Sequence, residues 1–177
     1  MRRIYFDTNA YIFLVERPSA EARLIFRLFG WREARTHVIV TSELTLAEAL
    51  VHPIEIALDT GDYRKRDHYL WLIDDEPGVR EVVRLERQVL QRAALVRAQC
   101  RRLANRKVKL PDAVHLASAM EADCDTFVTG DRGLLDAARD IANGVGLRAD
   151  EPRSRIKHVV DLTVEDLTRL SEELDRA

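Results

Sequence analysis

The sequence predicts an α/β fold in which a central, mainly parallel sheet of four to five strands carries helices on both faces. Three observations lead there. Short apolar runs rich in strand formers recur at residues 3–6, 37–40 and 126–129. Between them, apolar residues keep a three-to-four spacing over long stretches, which is the helical period. Connections that long are crossovers, and crossovers join parallel strands. With 177 residues, 46% of them hydrophobic and 33% charged, the composition is that of a globular chain. A chain this size buries roughly 70% of its unfolded surface, enough for a core without disulfide or metal staples.

The elements follow in order. Residues 3–6 form the first strand, then Asp7-Thr8-Asn9 leads into a helix over 10–16. Pro18-Ser19 punctuates before a helix over 20–34. The compact run 37–40 is a second strand, and Thr41 or Ser42 can cap the helix at 43–51. Pro53 and Gly61 interrupt a helical stretch reaching about residue 73, and 74–78 reads as a loop. Residues 79–85 fit either a strand or the start of a long helix running to about 105, since Val82, Leu85, Val89, Ala93, Val96, Cys100 and Leu103 keep the helical spacing. Leu110-Pro111-Asp112 opens a helix with proline near its first turn. A strand at 126–129, a Gly130–Gly133 turn and a helix over 134–143 follow. The segment 144–155 carries the weakest structural signal. A strand within 156–162 and a helix capped by Thr163 complete the chain. No linker stands out, so 1–177 reads as one domain, with its core at about 1–143 and a C-terminal extension at 144–177.

Several classes are excluded. No G-x-x-x-x-G-K-[ST], G-x-G-x-x-G or G-x-S-x-G motif is present. Cys100 and Cys124 form no ligand or disulfide pattern, which points to a reducing compartment. No apolar run approaches the ~18 residues of a membrane span. Asp7 falls where a signal peptide would have its apolar centre. A cytoplasmic protein without membrane contact is expected.

Four acids draw attention. Ligands of an open parallel sheet bind beyond the carboxyl ends of its strands. Asp7 follows the first strand and Asp131 follows the 126–129 strand, so both belong to one edge. Glu48 shares a helix face with Leu44 and Val51, and Asp112 shares one with His115, Leu116 and Ala119. Taken singly, each has a plain reading: Asp7 as a cap, Asp112 as a helix-start acid favoured by the dipole, Asp131 as a turn residue, and Glu48 as an arginine partner. Taken together, four clustered carboxylates repel unless cations neutralise them. Mg²⁺ or Mn²⁺ suits an all-oxygen set, whereas Zn²⁺ favours His or Cys. His115, one turn from Asp112, could touch a phosphate, but facing the core it reads as a structural histidine. Trp31, Trp71, Phe26 and Phe29 read as packing residues in preference to base-stacking ones, and Tyr11-Ile12-Phe13-Leu14 as burial or a partner groove.

These segments resemble the PIN domain, and most of all the VapC-type toxin ribonucleases. The matching stretches are Ile4-Tyr5-Phe6-Asp7-Thr8-Asn9, Ser42 with Glu48, Leu110-Pro111-Asp112-Ala113-Val114-His115-Leu116-Ala117-Ser118-Ala119, and Phe127-Val128-Thr129-Gly130-Asp131-Arg132-Gly133-Leu134. They occur in family order from residue 1 to about 135. The resemblance implies a three-layer α/β/α fold. It implies a Mg²⁺- or Mn²⁺-dependent endoribonuclease that leaves a 5′-phosphate and a 3′-hydroxyl, a small antitoxin partner and a homodimer. Asp7, Glu48, Asp112 and Asp131 carry over as the catalytic and metal-holding acids, with Asn9 and Thr129 in support. The chain departs from the pattern in its tail after Asn143 and in an arginine-rich middle.

That middle is the one electrostatic sign of a polyanion partner. Residues 79–109 hold eight arginines and two lysines against Glu81 and Glu86, a net charge of +8, in a chain whose total is −2. Arg101, Arg102 and Arg106 are candidates for the RNA backbone. A solvated face paired with acids elsewhere, or with an acidic antitoxin tail, stays open beside that reading. Two other functions also remain: an RNA-processing PIN nuclease with a housekeeping role, and a non-catalytic module with an acidic pocket.

Overall fold

Side-chain alternation along the strands decides which face of the sheet each helix covers. The computed structural model describes residues 1–29, 37–75, 79–144 and 154–176. In chain order the elements are β1 (Arg2–Phe6), α1 (Thr8–Glu16), α2 (Ala20–Leu28), β2 (His37–Ser42), α3 (Glu43–Ala49), α4 (Val51–Thr60), α5 (Arg64–Leu70), a π-helical turn (Trp71–Asp75), β3 (Val79–Val83), α6 (Arg87–Leu103), α7 (Leu110–Glu121), β4 (Thr126–Thr129), α8 (Arg132–Ala142), β5 (His158–Asp161) and α9 (Val164–Asp175). The strands form one sheet in the order β3-β2-β1-β4-β5, and every neighbouring pair is parallel. Among the described residues the sheet therefore has five strands, and each strand reaches the next in the chain by a crossover.

Tyr5, Val38, Val40 and Phe127 point to one face, where α6, α7 and α8 bring Val89, Ala93, Val96, Leu116, Leu134 and Ile141. Ile4, Phe6, Ile39 and Val128 point to the other, under Tyr11 of α1, Ile25 and Leu28 of α2, Tyr69 of α5 and three leucines of α9. Two separate cores, one on each side of the sheet, make the layers α/β/α. The strands are apolar on both faces, as parallel strands buried on both sides must be.

Several boundaries differ from the sequence reading, each for a local reason. The first helix begins at Thr8, because the Asp7 side chain caps it by accepting from the Asn9 N–H. The helical region 43–70 breaks at two points. Leu50 ends α3 and leads into α4, where Pro53 sits within the first turn and its missing N–H has no partner to lose. Gly61 ends α4 in the left-handed region, at φ 71°. The ambiguous segment at 79 resolves as a strand, so Val82 and Leu85 precede the long helix α6. Ser42 occupies the N-cap position of α3 without capping it, because its hydroxyl is held by Tyr5. The second helix is described to Leu28; its expected continuation over 30–34, part of the 74–78 loop and most of 144–155 lie outside the described residues. No helix among the described residues is long and apolar enough to cross a membrane.

The C-terminal strand and helix expected from the sequence are both present. β5 pairs with β4, and α9 packs on α2 and β5. Thr163 caps α9 by accepting from the Asp166 N–H at 3.2 Å.

Candidate active site at the carboxyl edge of the sheet

β1 and β4 lie side by side and end together, so the residues that follow them are neighbours despite 122 positions of separation. The Asp7 N–H donates to the Val128 carbonyl at 3.2 Å, which fixes Asp7 against the end of β4. Its carboxylate is 1% exposed and fully engaged. One oxygen accepts from the Asn9 N–H at 3.1 Å; the other accepts from Asn9 Nδ2 at 3.1 Å and from Thr129 Oγ1 at 2.5 Å. The same Thr129 oxygen accepts from the Asp131 N–H at 3.0 Å. Thr129 thus stands between two of the acids, and Asn9 and Thr129 both bond to Asp7. Asp131 caps α8, accepting from the Leu134 N–H at 2.9 Å. Asp7 and Asp131 are therefore helix caps, and capping does not exclude a role at a site.

Asp112 is the third residue of α7 and half-buried. Burial raises its carboxyl above the ordinary aspartate range, and the neighbouring Asp131 charge raises it further; Lys109 and His115 offset part of this. Burial also raises Asp7, opposed by His115 and by the hydrogen bonds from Thr129 and Asn9. Glu48 shows the opposite balance. Burial disfavours its charge, but hydrogen bonds from His115 and Thr8 outweigh that and hold it below the usual glutamate range.

Electrostatic coupling and shared hydrogen bonds thus bring Glu48, Asp7, Asp131 and Asp112 to one region. They do not close on a point: among the described residues, no group of three or more His, Cys, Asp or Glu side chains is arranged to hold a metal ion. In kind, the donors still fit a hard dication. All four are carboxylates, none of Asp7, Asp112 and Asp131 forms an ion pair among the described residues, and two of them are pushed toward neutrality by burial. Such a set is stabilised by a cation bound among its oxygens.

Sequence reasoning missed part of the site. Glu48 Oε2 accepts from Thr8 Oγ1 at 2.5 Å and from His115 Nε2 at 3.0 Å. His115 is 3% exposed, as a core residue would be, yet both ring nitrogens are spent on side chains. The available signal was its spacing, three residues after Asp112 on the same helix face. Val51, expected beside Glu48, lies beyond the end of α3 and is exposed.

Of the candidate RNA-binding arginines, Arg101 and Arg102 are exposed at the end of α6. Arg106 is engaged elsewhere, bonding Asp140 at 2.7 Å and Asp136 at 3.3 Å on α8. Arg92 pairs with Glu121 and Arg97 bonds the Val108 carbonyl. Part of the basic segment is therefore structural. Phe29 and Tyr11 lie in the core, Phe26 and Trp71 are exposed, and Trp31 lies outside the described residues.

The chain matches the PIN domain family model over residues 4–140. No curated protein matches it in sequence. Among solved structures, VapC20 from Mycobacterium tuberculosis, a sarcin-ricin loop cleaving toxin, is 18% identical, with a TM-score of 0.53 over 76% of this chain and 94% of that one. FitAcB from Neisseria gonorrhoeae is 19% identical, with a TM-score of 0.53 over 77% and 93%. VapBC2 from Rickettsia felis, bound to a promoter DNA fragment, is 13% identical, with a TM-score of 0.54 over 73% and 87%. Identities this low establish the shared fold, and the family model covers well over half the chain: the protein belongs to the PIN domain family.

Proposed function

We propose that the protein is a metal-dependent endoribonuclease and the toxin of a toxin–antitoxin pair. The reading is supported by Asp7 and Asp131 at the ends of adjacent strands, by the Asp131 charge acting on Asp112 and by the Thr8 bond to Glu48, with two carboxyls made costly by burial. Perturbed carboxyls of this kind cluster at functional sites. The toxin role is supported by the solved relatives, VapC20 described as a cleaving toxin, and VapBC2 and FitAcB. A small antitoxin, a second copy of the chain and an RNA substrate are the partners this reading assigns.

In this reading Asp7, Asp112, Asp131 and Glu48 hold Mg²⁺ or Mn²⁺. A bound ion supplies charge neutralisation at the scissile phosphate and activation of a water. The protein's part is positioning. Thr129 and Asn9 fix the Asp7 carboxylate, and the Leu134 N–H fixes that of Asp131. Helices α1 and α8 begin at the site, so their positive ends face the acids and moderate the repulsion among them. Phosphoryl transfer asks mainly for such positioning and charge balance, so no covalent nucleophile is required.

The test is cleavage of mixed cellular RNA by the purified chain, with mapping of the cut ends. Cutting is expected with Mn²⁺ and is expected to stop with chelator. Asp112→Ala is expected to lose it while keeping the wild-type circular dichroism. Cleavage that survives chelation, or persists in folded Asp112→Ala, defeats the assignment. RNA binding is expected to weaken steeply with salt. Arg101→Ser combined with Arg102→Ser is expected to flatten that dependence by about two units of slope. Arg106→Ser is expected to act instead on stability, through its lost pairs to α8. A salt slope unchanged in the double variant removes Arg101 and Arg102 from the interface.

A further inference from the structure

We propose that His115 is a positioning residue that aims Glu48 into the site, with its own orientation set by Tyr5. The inference rests on the nuclease reading above and deepens it.

Glu48 is the one acid of the four carried mid-helix with no backbone donor holding its carboxylate. Its side chain is 34% exposed and has three rotatable bonds. Left alone, it would sample many orientations. Two donors converge on the same oxygen, Oε2: Thr8 Oγ1 and His115 Nε2. A carboxylate only accepts, so Nε2 carries a hydrogen. The other oxygen, Oε1, has no hydrogen-bond partner among the described residues. The clamp therefore spends one oxygen on the protein and leaves one for a ligand.

The ring that makes this clamp is itself held. His115 Nδ1 meets the Tyr5 hydroxyl at 2.8 Å, and that hydroxyl meets Ser42 Oγ at 2.8 Å. Tyr5 is wholly buried, stacked on Phe127 with ring centres 5.3 Å apart and planes within 5°, and it meets the His115 ring edge-on at 5.9 Å. Glu48 is thus tied through His115 to β1, β2 and β4, the three inner strands of the sheet. A buried histidine must satisfy both ring nitrogens, and here the partners it uses form a path ending at Glu48. Hydrogen-bonded partners of ligating carboxylates typically tune metal affinity by about 10- to 100-fold.

The experiment is calorimetric titration of the full chain with Mn²⁺, without RNA. His115→Phe is expected to weaken Mn²⁺ binding about 10-fold. Tyr5→Phe, which removes one oxygen and keeps the stacked ring, is expected to weaken it in the same direction by a smaller factor. The double variant His115→Phe with Glu48→Gln is expected to bind no more weakly than Glu48→Gln alone, because His115 acts through Glu48. Affinity in Tyr5→Phe equal to wild type overturns the proposal, whether or not His115→Phe folds. So does an additive loss in the double variant. Asp7→Asn separates the two levels. If it loses Mn²⁺ while Tyr5→Phe does not, only the positioning role falls. If wild type binds no Mn²⁺, or Asp7→Asn binds it equally well, the nuclease reading falls too.

Discussion

Replacing Asp7 by Asn is expected to lower RNA cleavage by about 10³-fold or more, since a carboxylate holding the metal contributes several kcal/mol of transition-state stabilisation. The same substitution is expected to change how stability depends on pH in metal-free protein. Burial holds the Asp7 carboxyl above the ordinary aspartate value of 3.8, so the folded chain binds that proton more tightly than the unfolded chain does. The group therefore opposes folding at neutral pH. Its penalty fades as pH falls through the raised folded value and is gone below 3.8. Asp112 acts in the same sense. Glu48, held below its ordinary 4.5, acts in the opposite sense: its stabilisation is full above 4.5 and is lost as pH falls through the lowered folded value. The informative curve is thus the difference between wild type and Asp7→Asn in urea melts across the acid range with chelator present. A difference that moves in favour of wild type as pH falls is the expected result. A flat difference would mean the carboxylate is not held above its ordinary range.

The second large effect is expected on the α2–α9 face of the sheet. Leu167, Leu170 and Leu174 of α9 are each no more than 3% exposed and lie in the same core as Ile25 and Leu28 of α2. Leu170→Ala is expected to cost about 2–5 kcal/mol, the usual range for truncating a buried leucine. In a chain of this length that lowers the melting temperature by roughly 5–15 °C. Deleting residues 163–177 removes all three leucines and exposes the α2 face, a loss comparable with the whole stability of a typical domain of about 5–15 kcal/mol. The truncated chain is expected to be unfolded or aggregated. Wild-type melting of the truncated chain would show the extension to be an appendage, and residues 144–177 would then fall outside the folding unit that the sequence reading assigned to the whole chain.

The two predictions address different parts of the molecule. Its carboxyl edge carries strained electrostatics at the ends of β1 and β4. Its α2–α9 face carries ordinary apolar burial. Stability supplied at the second offsets the buried charge tolerated at the first.

Much of this was legible along the chain. The runs at β1, β2 and β4 were readable because strand formers bounded by polar residues are a local signal. Asp7, Asp131 and Thr163 could be placed at helix starts because capping acts over three residues. Glu48 and Asp112 could be placed on inward faces because helical period is local too. The strand at 79–83 was not separable from a helix: five residues with apolar positions at both spacings fit either period, and pairing with β2 decides. The end of α4 at Gly61 was legible, since glycine is a local stop signal.

The amino-acid order by itself determined the alternation of strands and helices, four candidate acids, and the placement of Asp7 and Asp131 at the carboxyl side of a parallel sheet, because each depends on neighbours within a turn or a strand. Only the tertiary structure decided that His115 joins Tyr5 to Glu48, that Thr129 lies between Asp7 and Asp131, and that Arg106 is spent on α8. Apart from Thr129 and Asp131, two residues apart, those partners are 30 to 122 residues apart. Strand register and helix packing bring them together, and neither leaves a trace in the spacing of residues along the chain.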